Sequence, residues 1–306
     1  MIMTKRILIA LAALMAALHM MAQTQDFERR YNLLVSQVGP AGVGIETLIN
    51  NWAKADQDND RMLTAKFHYY LTKAQKPEVV TKPSKKYLGN EPVLALKDST
   101  GSDVFYFQVL AYDDELFREA INAVDRAIEV YPERLDFRFM KTNAYVSYER
   151  ESPDIALANL IGLANDFVKG AEQWTYDGNP ADAEFFAEAM QEYCITFYTL
   201  ATQSSYEAFR KLSEVMAGVY PSNMAFVSNI GTYHLLVKDD CKTALKYYNK
   251  VLKKNPSDYT AIRNSCLAAR KLGNVKMEKK YLAMLMEHGG DVEKMQAKAR
   301  LDALNR

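Results

Sequence analysis

The sequence predicts an all-α protein built from paired helices, and three observations carry that expectation. The 306 residues include only 13 glycines and 9 prolines, below the usual shares of about 7% and 5%. Pro221 and Pro256 stand 35 residues apart, as do Ser222 and Ser257, and Asn229 and Asn264. Self-similarity at a fixed spacing near that length is the mark of a repeat array. Between the prolines, Ala244, Leu245, Tyr248, Val251 and Leu252 recur at the spacing of one helical face.

At the start of the chain, residues 1–22 carry Lys5 and Arg6, then an apolar run from Ile7 to Leu18, then Ala22. That run is too short to span a bilayer and fits the apolar part of an export signal. Cleavage near Ala22 is expected, leaving 284 residues with 36 basic and 38 acidic side chains. The expected product is exported, periplasmic or extracellular, with no transmembrane segment after cleavage. Residues 23–306 are expected to form a single helical domain.

A helix–turn–helix rhythm runs faintly over 44–74, carrying Ile45, Ile49 and Trp52. Residues 75–110 then break the rhythm with Pro77, Pro83, Gly89 and Pro92. Val93–Lys97 and Val104–Phe107 flank a polar turn and predict a small β-hairpin near 90–108, inserted inside a repeat. Asp114 is expected to cap a helix reaching Val130. Ser152 and Pro153 read as the start of a helix ending at Gly170. Residues 171–180 read as an ordered loop with Trp174 and Tyr176. Pro180 opens the longest helix candidate, Ser204 or Ser205 the next, and Asp240 one through Lys254. Gly289 and Gly290 set off a last helix with a polar outer face. The tally is about thirteen helices.

The pattern resembles tetratricopeptide repeats (TPR). Counting back from Pro256, Ala244, Tyr248 and Val251 fall where the family places a small, an aromatic and a small or aliphatic residue. The same count from Pro132 lands on Ala120, Val124 and Ala127. Gly231 sits near the small position of a first helix. The match is clearest over 206–287, fair over 114–150 and faint over 44–74. The resemblance implies a TPR-like α-solenoid of about six antiparallel helix pairs plus a C-terminal capping helix. It implies a concave surface that holds a protein or peptide partner.

Composition and motifs narrow the function. Lys+Arg and Asp+Glu both number 38, which argues against a nucleic-acid partner. No G-x-S-x-G, H-E-x-x-H, phosphate loop or C-x-x-C is present, so no enzyme activity, metal or cofactor is assigned. Asp56, Asp58 and Asp60 alternate like a calcium loop, but Arg61 and Phe67 stand where it needs Gly and Glu. Cys194, Cys241 and Cys266 lie in apolar helical patterns and read as core, with a Cys241–Cys266 bridge as the alternative. His234 reads as a packed aromatic.

The candidate binding residues lie on first-of-pair helices. Asn229 and Asn264 are equivalent by repeat, and an Asn amide can bond both polar groups of an extended peptide. Arg263 is adjacent and suits a carboxylate. Tyr233 and Tyr259 add amphipathic contact area. Arg138, Lys141 and Tyr145 share one helix with Arg134 and form either a positive strip or a solvated face. Two other readings stay open: a glycan- or small-molecule-binding helical protein, with exposed aromatics clustered near Trp174 and the 75–110 insert, and an all-α hydrolase with converging carboxylates.

Overall fold

The computed structural model describes residues 25–170 and 173–306. The expected export signal therefore lies outside the described residues. These contain thirteen α-helices, one short π-helical turn and two small antiparallel sheets. No helix among them is long and apolar enough to cross a membrane. Contacts gather into two compact units.

The first unit takes in residues up to Lys85, Pro92–Tyr148 and Gln173–Pro180. Its helices are α1 (25–38), α2 (Ile45–Ala55), α3 (Asp60–Ala74), α4 (Asp114–Val130) and most of α5 (Leu135–Glu149). Asn59 starts α3 by accepting the Met62 N–H at 3.0 Å. Asp113, one residue before the predicted cap, starts α4 by accepting the Leu116 N–H. The small residues Ala120 and Ala127 flank Val124 on the buried face of α4, and α3 packs along α4. Trp52, Phe67, Ile121 and Phe137 fill the same core, with Phe27 stacked on Trp52 at 6.0 Å. Burying each such large side chain contributes about 1.5–3 kcal/mol.

The insert between α3 and α4 is larger than the predicted hairpin. It is a three-stranded sheet of β1 (Gln75–Lys82), β2 (Leu94–Lys97) and β3 (Asp103–Tyr112), in the order β1-β3-β2. The hairpin corresponds to β2 and β3, with Leu96 opposite Val104. The strand that the sequence concealed is β1, because Pro77 reads as a breaker. As an edge strand β1 has one side without ladder bonds, and a proline is tolerated there. At the neck the Asp113 N–H donates to the Ala74 carbonyl at 2.9 Å, and Gln75 pairs with Tyr112. The chain thus leaves and re-enters the helical pair at one point.

The expected loop near Trp174 holds a minimal hairpin, β4 (Thr175–Tyr176) with β5 (Asn179–Pro180). Asp177 and Gly178 between them have φ of 46° and 77°, the paired positive values of a type I′ turn.

The second unit comprises Lys86–Glu91, Glu149–Glu172 and Ala181–Arg306. It holds α6 (Asp154–Gly170), α7 (Ala183–Leu200), α8 (Gln203–Val219), α9 (Met224–Thr232), α10 (Cys241–Lys254), α11 (Tyr259–Lys271), α12 (Val275–His288) and α13 (Asp291–Leu304). Three predicted helix starts need correction. Ser152 does not cap α6; the Glu149 carboxylate accepts the Ile155 and Ala156 N–H groups at 2.7 and 2.9 Å. Pro180 belongs to β5, and Asp182 caps α7. Thr202 caps α8, and Ser205 returns a bond to its N–H. In each case a side chain with better reach lies a few residues from the expected one.

From α9 to α12 each helix begins on an Asn or Asp cap: Asn223, Asp240, Asp258 and Asn274. Successive helices pack on one another from α9 through α13. At Gly231 in α9 a Cβ would stand 2.8 Å from the Tyr248 ring of α10, so only glycine admits that approach. Ala244, Val251, Ala268 and Ala269 are fully buried in the same core. All three cysteines are free and buried, as core residues.

Candidate functional site

Three of the eight predicted binding residues, Tyr259, Arg263 and Asn264, line one cavity of about 530 Å³ in the second unit. Its volume falls within the range of ligand-sized pockets. The wall is a face of α11: residues 259, 263, 266, 267 and 270 recur at helical spacing and all line it. The floor adds Leu282 and Leu285 of α12, and α13 contributes Glu293, Gln296, Ala297 and Arg300.

Leu236 completes the lining and is 47% exposed. Its position comes from a local irregularity. After α9 the chain makes a π-helical turn over Tyr233–Val237, closed by Lys238 N–H to Tyr233 C=O. Such a turn adds one residue to the winding and re-aims the side chains beyond it. The residue pattern around Gly231 and His234 gives no sign of it. Within this turn His234 is a packed aromatic, stacked on Tyr247 at 5.6 Å.

The polar rim is organised by one buried acid. Glu278 in α12 is 3% exposed and accepts Arg270 Nε at 2.8 Å and Arg300 Nε at 2.9 Å. Arg300 Nη2 adds a second bond at 3.3 Å. The guanidinium of Arg300, then that of Arg270, holds the Glu278 carboxyl below the usual carboxylate range against the opposing effect of burial. Tyr259 donates to Glu293 at 3.0 Å, and burial followed by this bond raises its phenol. Arg263 is exposed and makes no hydrogen bond or ion pair among the described residues. Cys266 at the cavity has its thiol pushed up chiefly by burial, the opposite of the lowered thiol of a reactive cysteine.

Asn264 reaches the cavity with its amide already engaged. It donates to Tyr248 Oη at 3.1 Å and Thr232 Oγ1 at 3.4 Å. The equivalent Asn229 does not join it. Asn229 and Gln191 exchange amide hydrogen bonds at 2.9 and 3.3 Å. Tyr233 is buried, and its hydroxyl donates to Glu207. That bond, with Arg210 and Lys238 alongside, lowers Glu207 to about 2.

The remaining predicted residues lie in the first unit and form no open strip. Lys141 pairs with Asp125 at 2.7 Å. The Arg138 guanidinium lies over the Trp174 ring at 5.8 Å. Tyr145 packs edge-on to Phe117. Trp174 is itself buried, so it offers no exposed platform for a sugar. Among the described residues no group of three or more His, Cys, Asp or Glu is arranged to hold a metal.

Among the residues that sequence reasoning missed are Leu236, Leu267, Arg270, Glu293, Gln296 and Arg300 of the lining, and Glu278 beside it. Glu278 was readable only as an acid on an otherwise inward helix face. The residues of α13 were hidden in a generally polar segment. Comparison with known protein families and with curated proteins finds no match to this chain.

Proposed function

We propose that the protein is an exported TPR-like scaffold that binds a peptide or protein partner on the α11 face. The observation that carries this reading is the cavity of about 530 Å³ walled by Tyr259, Arg263, Asn264, Leu267 and Arg270 on one helix. It combines an apolar floor with a few polar groups, the general make-up of a binding site. The glycine-to-tyrosine approach of α9 to α10 supports the TPR-like part, since small residues at that place are what the repeat pattern demands. Export rests on residues 1–22.

A photo-cross-linking side chain placed at Leu267 of the full chain, in the producing cell, tests the binding. Cross-linked protein products are expected from position 267 and not from Lys253, which lies outside the cavity. Equal labelling from both positions, or none from 267, overturns the reading. The mass of the accumulated protein checks export separately: a chain beginning at Gln23 is expected.

A further inference from the structure

The rim of the same cavity carries more positive than negative charge, and this names the chemistry of its occupant. Arg263, Arg270 and Arg300 all line it, against Glu293 alone. Glu278 neutralises one more charge from behind. One positive charge is left uncompensated, and Arg263 carries it without a protein partner among the described residues. A guanidinium offers five N–H donors. Arg270 uses only Nε on Glu278, so its terminal nitrogens also remain open among the described residues.

Directly beside these groups the cavity is apolar, with Leu267, Leu282, Leu285 and Ala297. A ligand that satisfies both parts carries a carboxylate next to an apolar side chain. A single surplus charge suits one carboxylate better than a dianionic phosphate. Base stacking has little to use, because among the described residues Tyr259 is the one aromatic lining the cavity and its hydroxyl is held by Glu293.

Resting on the peptide-binding reading above, we infer that the cavity selects acidic–apolar peptide segments. Arg263 takes the carboxylate, with Arg270 and Arg300 flanking it, and a leucine-like side chain enters the floor. The bidentate geometry of guanidinium and carboxylate gives the selection its direction. Glu278 acts as a positioning residue, since it fixes two of the three guanidiniums.

Fluorescence anisotropy with the full chain tests this, using labelled octapeptides of alternating Glu-Leu, Gln-Leu and Lys-Leu. The Glu-Leu peptide is expected to bind about tenfold tighter than the Gln-Leu peptide, the scale of one charge-assisted hydrogen bond. Lys-Leu is expected to be weakest, and added salt should reduce the preference. Arg263→Gln should abolish the Glu-over-Gln preference, while Lys253→Gln should leave it. Each peptide is run as free acid and as C-terminal amide. Equal affinities of the Glu-Leu acid and amide assign the carboxylate to a side chain and support the inference. A loss on amidation that is the same for Glu-Leu and Gln-Leu assigns it to the chain end and overturns the selection of acidic side chains. Equal binding of all three peptides, sensitive to Leu267→Asp, overturns the charge selection and leaves the peptide reading standing. Binding of none of them, with no cross-linked product from Leu267, overturns both.

Discussion

The segment from Arg134 to Lys141 and the cavity lined by α11 and α13 each present three cationic side chains, and their fates differ. On α5 and just before it, Arg134 is held by Asp136 at 2.6 and 2.9 Å and by Asp60 at 3.0 Å. Lys141 has Asp125, and Arg138 has the Trp174 ring. Around the cavity, Arg270 and Arg300 share Glu278, and Arg263 has no such partner among the described residues. The first set fastens the fold together. The second leaves charge to spare beside an apolar floor. Positive residues at helical spacing thus mean little until their acids are located.

The contrast is tested most severely at Arg134. Arg134→Ala removes a bidentate pair and a second ion pair from a largely enclosed site, and should cost about 2–3 kcal/mol. Urea unfolding measures this. A variant as stable as the parent would show that the α5 charges are as idle as a solvated face.

Glu278→Gln comes next in size. It keeps the shape but removes the charge that two guanidiniums share, and about 1–2 kcal/mol is expected. The loss should be local, seen as faster hydrogen–deuterium exchange in α13 than in α3. Unchanged α13 exchange would remove Glu278 as the link between α11 and α13.

Acid should mimic that substitution. The folded Glu278 carboxyl titrates below its unfolded value. Its contribution is therefore complete above the unfolded pKa, about 4.3, and is lost as pH falls through the lower folded value. Exchange in α13 should rise as pH drops below about 4, after correction for intrinsic rates, and the Glu278→Gln chain should lack that rise. An identical rise in the variant would assign the effect to other carboxylates.

The smallest effect is expected at Arg263. With no partner to lose, Arg263→Gln should change stability by less than about 0.5 kcal/mol. The same unfolding experiment used for Arg134 checks it. A loss approaching that of Arg134 would mean that this guanidinium serves the fold and is not held for a ligand.

Much of the helical framework was legible because its signals are local. Ala244, Tyr248 and Val251 lie on one face and are buried together. Asp240 caps α10 as expected, through the Thr243 N–H three residues on. Gly289 and Gly290 separate α13 as read. The misplaced caps show the limit of such reading. Ser152 and Glu149 both stand near the start of α6, and only geometry tells which reaches its N–H groups. Strand β1 was missed for a similar reason, since Pro77 forbids a central strand but not an edge.

The candidate site was legible only in part. Tyr259, Arg263 and Asn264 were found because repeat spacing placed them on one helix. Asn229 shares that logic and is engaged elsewhere, because Gln191 lies 38 residues away in sequence and beside it in space.

Local sequence was enough to set where the helices lie, which faces turn inward and that a β insert interrupts them. Those features depend on neighbours within about four residues along the chain. Which charges are satisfied was decided by tertiary packing. Arg134 meets Asp60 across 74 residues and Arg300 meets Glu278 across 22. Packing also decided that a π-helical turn brings Leu236 to the cavity. Such pairings depend on how helices come together in space, and no local periodicity encodes them.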